Sequence, residues 1–85
     1  MDNVNEINGL LAFLKEVNRE RFFNTGYDLL LNFRKEALDA PTEVEVKIRT
    51  IDNMINFFEA KEEYEKCAYL LDVKKEILEL EQVDN

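Results

Sequence analysis

Glu59, Glu62, Glu63 and Glu65 crowd one short stretch beside Tyr64, Lys66 and Cys67, and these are the side chains whose types and spacing could do chemistry. Clustered carboxylate oxygens suit hard cations such as Ca²⁺ or Mg²⁺, but an EF-hand loop needs Asp or Asn ligands around a central Gly, and this stretch has none. The expectation is a solvated acidic tip that holds no metal and no cofactor. Cys67 is the only cysteine and stands between Lys66 and Ala68 on an apolar line. A reactive thiol needs an exposed, electropositive setting, so Cys67 reads as a core residue. The chain contains no His, the usual general base and metal ligand near neutral pH. It also lacks a Gly-rich phosphate loop, a nucleophile elbow and paired cysteines. No catalysis is expected.

The elements that must position these residues follow from length and composition. The 85 residues are 46% hydrophobic and 35% charged, with two Gly and one Pro. That is one domain with one core, and too few turn residues for a sandwich or barrel. Eleven basic against nineteen acidic side chains leave a net charge of −8, a field that repels phosphate backbones and anionic lipids. Direct nucleic-acid binding is not expected. Residues 42–85 carry twelve of those acids against six bases and form the acidic half. The start MDNVNEIN lacks a signal peptide's basic and apolar regions, and no apolar run approaches the roughly 20 residues that span a bilayer. A lone Cys adds to the expectation of a reducing, cytoplasmic setting.

Along the chain, Val4, Ile7, Leu11, Leu14 and Val17 recur every three or four residues, with Leu10 and Phe13 widening the stripe. This predicts a helix from about residue 4 to about residue 23, capped by Asn3 or Asn5 and ended by Gly26 in the left-handed conformation. Phe22 and Phe23 are expected to bury beneath the corner. Thr25 can cap a second helix to Asp39, with Tyr27, Leu31 and Leu38 on one stripe and Leu30, Phe33 and Ala37 on another, an apolar face wide enough to be covered on two sides. Pro41 forces a break at 39–42. Thr42-Glu43-Val44-Glu45 reads as a capping box opening a third helix, whose seam is Val44, Ile48, Ile51, Ile55 and Phe58. A fourth segment from about 63 to 81 aligns Tyr64, Cys67, Leu71 and Leu78 on one line and Leu70, Val73, Ile77 and Leu80 on another. The short link Ala60–Glu63 makes these last two helices antiparallel. The expected architecture is one all-α domain over residues 1–85, a four-helix arrangement of two antiparallel hairpins, 4–39 and 43–81, with 82–85 as a frayed tail.

Within the second hairpin, Ile51-Asp52, Ile55, Phe58, then Glu63-Tyr64-Glu65-Lys66-Cys67-Ala68, Leu70, Asp72 and Ile77 follow one another without a gap. This segment resembles the UVR motif, a helical hairpin of bacterial excision-repair subunits that also occurs in Clp-type ATPases and protein-arginine-kinase activators. The carriers of the resemblance are an aromatic between two acids, then a basic residue and two small ones. Glu62, Leu71, Phe58 and Lys74 depart from the motif's usual Leu, Arg, small and apolar residues. The resemblance implies docking to another protein through the hairpin, with no chemistry in the motif itself. The leading expectation is therefore a small noncatalytic interaction module whose partner-binding residues are Tyr64, Lys66, Leu71 and Asp72, with a homodimer as one form of it. The alternative is a small acidic inhibitor or nucleic-acid-mimicking decoy, of the phage or mobile-element type, that covers a basic surface of a host protein.

Overall fold

A computed structural model describes residues 3–83, which form three helices and no strand: α1 Asn3–Asp39, α2 Val44–Ala60 and α3 Tyr64–Val83. The all-α class stands, and four helices become three. Thr25-Gly26 does not end a helix; α1 runs through it, and no glycine has a positive φ. The reason is tertiary. Continuing the helix puts Phe23, Tyr27 and Leu30 on one face, and all three are buried against the hairpin of α2 and α3, as is Leu38 further along the chain. A helix ending at Gly26 would break that line, whereas an interior Gly costs only about 1 kcal/mol relative to Ala. Burying each large apolar side chain contributes about 1.5–3 kcal/mol, so the continuous helix wins.

Because α1 is one helix, the expected first hairpin does not form and nothing from residues 4–23 folds back. The part of α1 before its bend, residues 3–32, spans about 45 Å at 1.5 Å per residue and makes up most of the 61 Å long axis. Only one side of α1 is covered: Leu31 and Phe33, expected to bury, are exposed, as is Leu29. Phe23 buries while Phe22 stays 65% exposed. Between α1 and α2 an open apolar groove of about 270 Å³ is left, with Leu29, Leu38, Val46 and Met54 among its walls.

α1 bends at Phe33, where φ −135° and ψ 43° leave the helical region. Helix kinks arise where a side chain enters the hydrogen-bond ladder, and here Tyr69 of α3 donates its hydroxyl to the Leu30 carbonyl at 2.9 Å. That carbonyl's helical partner would be the Arg34 amide, immediately after the kink.

The break before Pro41 falls where expected, with α1 ending at Asp39. The capping box does not form. Glu43 occupies the cap position with no side-chain bond, and its carbonyl takes the Val46 and Lys47 amides at 3.0 and 3.1 Å. Thr42 turns instead into the link, its amide donating to the Ala40 carbonyl at 2.7 Å. Lys47 reaches back to donate to the Leu38 carbonyl at 2.5 Å, placing a cation at the negative end of α1.

α2 and α3 form the expected antiparallel hairpin. Its turn is a Schellman motif: the Glu63 amide donates to the Phe58 carbonyl and the Glu62 amide to the Glu59 carbonyl, both at 2.9 Å. Glu62 takes the left-handed position at φ 61°, a site where Gly is usual. The core is Ile51, Met54, Phe57 and Phe58 of α2 against Cys67, Leu70, Val73 and Ile77 of α3, with Phe58, Leu70 and Val73 fully inaccessible. Helix α3 persists through Val83, past the start of the expected frayed tail. Residues 84 and 85, the side chains of Asn3 and Asn5 invoked as caps, and those of Val4, Ile7 and Leu11 in the expected first stripe lie outside the described structure.

Candidate protein-docking face on α3

Helix α3 carries two stripes. Cys67, Leu70, Val73 and Ile77 face α2 and α1 and are buried. Rotated away from them, Tyr64, Ala68, Leu71, Lys75 and Leu78 are all exposed, at intervals of four, three, four and three. That is one continuous helical face. Tyr64 is 62% and Leu71 55% exposed, so the line expected to contain Tyr64, Cys67, Leu71 and Leu78 divides, with Cys67 inside and the others outside. Flanking the outer stripe on the side of α1, Glu65, Asp72 and Glu79 repeat every seven residues and are exposed, giving the apolar stripe an acidic border.

Lys66 and Asp72 are engaged within the chain. The Lys66 ammonium lies 3.2 Å from a Glu63 carboxylate oxygen, 5.2 Å from the centre of the Tyr27 ring and 4.9 Å from that of Phe58. It joins all three helices through cation–π contacts. The Asp72 carboxylate accepts from Arg34 of α1 at 3.0 Å. The same guanidinium pairs with Glu76 at 2.6 Å and lies over the Tyr69 ring at 5.3 Å. Arg34 therefore clamps α1 to α3 just past the kink. A second tie is Lys74 to Asp52 at 2.8 Å. Of the four residues expected to bind a partner, the structure brings Tyr64 and Leu71 together on the open stripe and places Lys66 and Asp72 in contacts that hold the body. Leu78 and Ala68 complete the stripe; the four-three spacing shared with Tyr64 and Leu71 is the signal that includes them.

Burial pushes the Cys67 thiol above its ordinary value, with Glu59 and Glu63 adding to the effect. Its Sγ donates to the Ile55 carbonyl at 3.6 Å. This is a protonated core thiol. The acidic tip does not converge: among the described residues no group of three or more His, Cys, Asp or Glu is placed to hold a metal ion. Among those residues, too, no helix is long and apolar enough to cross a membrane. The chain shows no match to a protein-family model, to a curated protein or to a solved structure.

Proposed function

We propose that this chain is a noncatalytic docking module that takes one amphipathic helix of a partner protein along the exposed face of α3. The observation that carries this reading is the second, outward face of α3, where Tyr64, Ala68, Leu71 and Leu78, interrupted by Lys75, form an apolar stripe that the core does not use. A helix that only had to pack inside its own fold would carry one stripe and a polar back. Tyr64 combines a large apolar body with a polar tip, the kind of side chain that anchors interfaces. The stripe is apolar at its anchors, and the exposed acids Glu65 and Glu79 beside it add only a modest preference for a partner helix whose apolar seam has a basic flank. Docking through this hairpin agrees with what the UVR resemblance implies.

The test is to capture partners from the native host with the wild-type chain and with Leu71→Asp, then measure affinity and melting temperature together for the captured protein. Leu71→Asp and Tyr64→Ala should each weaken binding at least about tenfold, or ~1.4 kcal/mol, and leave melting nearly unchanged because both side chains are exposed. Raising salt should weaken binding little. Binding that survives Leu71→Asp but collapses with salt would favour the acidic inhibitor or decoy instead.

A further inference from the structure

Helix α1 overruns the body. Glu20 pairs with Lys61 at the hairpin turn, 3.2 Å away, and Arg19 lies over the Phe57 ring at 5.7 Å. Residues before these extend past the end of α2. Every described side chain from Gly9 to Phe22 is exposed, including Leu10 at 57% and Phe13 at 63%. Sixteen residues of α1, Asn3 to Asn18, therefore form an arm of about 24 Å. A helix of that length is marginal alone in water and draws its stability from packing.

We infer that the occupant of this arm is the arm of a second copy, laid antiparallel across a twofold axis near residues 10 and 11. Three observations converge. The apolar positions Val4, Ile7, Leu10, Leu11, Leu14 and Val17 are spaced three, three, one, three and three, a pattern that reads the same from either end. An antiparallel pair thus sets apolar residues against apolar residues over its whole length, as an isologous contact requires. These six positions and Phe13 beside them, at on the order of 100 Å² each, give roughly 1,400 Å² over two arms, the size of a standard specific interface. The third observation is charge. Residues 1–22 carry four acids and three bases, net −1, which leaves −7 of the total −8 on residues 23–85. A parallel pair would hold two such bodies side by side, closer than the ~8–10 Å over which salt screens them. The antiparallel pair places them at opposite ends. This assignment is independent of the docking face on α3.

The experiment uses the full chain. Sedimentation across a concentration series should show the mass doubling, and Leu14→Asp should abolish the doubling or shift it at least tenfold upward in concentration. Circular dichroism should show the body of that variant still helical, because Leu14 touches none of it. Orientation is read by oxidation of single added cysteines, with the wild-type chain and its buried Cys67 as control. Leu10→Cys, beside the axis, should cross-link to its own counterpart, while Arg21→Cys should not. A monomer at every concentration overturns the pairing and leaves the arm to a different protein. Equal cross-linking of Leu10→Cys and Arg21→Cys overturns the antiparallel orientation.

Discussion

Cys67 shows how position decides what a side chain does. Its thiol is held protonated by burial and by Glu59 and Glu63, and burial also raises the nearby Tyr27 phenol, opposed by Lys66. Both are acids whose folded-state pKa lies above the unfolded value. Their contribution is complete below the unfolded pKa and is lost as pH rises, because the unfolded chain then releases protons the folded chain retains. The melting temperature should stay level through neutral pH on their account and fall above about pH 9, with Cys67→Ala moving the onset toward the tyrosine range near pH 10. An onset unchanged in Cys67→Ala would show that the thiol is not the group concerned. Lys66 makes the complementary point. Its sequence neighbours Glu63 and Glu65 suggest an exposed charge, yet its ammonium sits against Tyr27 and Phe58. Lys66→Glu should therefore destabilise the body by about 1–3 kcal/mol, since it replaces a cation over two ring faces with an anion.

At the scale of elements, the two helix stops expected from the sequence before α2 differ in how far local sequence determines them. Pro41 stops a helix by covalent geometry, and the break there was readable from one residue. Thr25-Gly26 carries a local stop signal that loses to the line Phe23, Tyr27 and Leu30, whose burial depends on α2 and α3. The clamp of Arg34 on Asp72 and Glu76 joins residues about forty apart, and no spacing rule reaches that far. For α3, periodicity identified the apolar positions but not which of two stripes faces inward, since both repeat at three and four. Gly26→Ala separates a continuous α1 from a helix ending at Gly26. In a continuous helix the added Cβ meets only the Met54 side chain, Cε at 3.5 Å and Sδ at 3.9 Å, both ordinary contacts, so the variant should gain about 0.5–1 kcal/mol. A left-handed Gly26 would make the same change costly. Glu62→Gly should likewise stabilise, by about 1 kcal/mol, because a non-glycine residue at positive φ is strained there. Both are measured by denaturant unfolding, and a loss of stability in either contradicts the corresponding backbone.

Across the whole molecule, stability is distributed unevenly, and the proposed surfaces follow that distribution. The inaccessible residues Phe58, Leu70 and Val73 tie α2 to α3, and Phe23, Tyr27 and Leu30 fasten the middle of α1 onto them; the described side chains before Arg19 are exposed. Amide hydrogen exchange measures the difference directly, because protection reports the free energy of the smallest opening that exposes each amide. At high dilution, where the chain is monomeric, amides of residues 9–18 should exchange near the rate of an unstructured helix end. Those around Phe58, Leu70 and Val73 should open only with global unfolding. Leu70→Ala, which deletes fully buried methyl groups, should cost about 2–4 kcal/mol and lower protection across α2, α3 and the body half of α1 together. Ile51→Ala should act similarly. Leu71→Ala, one residue further on the exposed side, should change protection by less than about 0.5 kcal/mol. Equal losses for Leu70 and Leu71 would mean that both stripes of α3 are core, and the outward face on which docking depends would not exist.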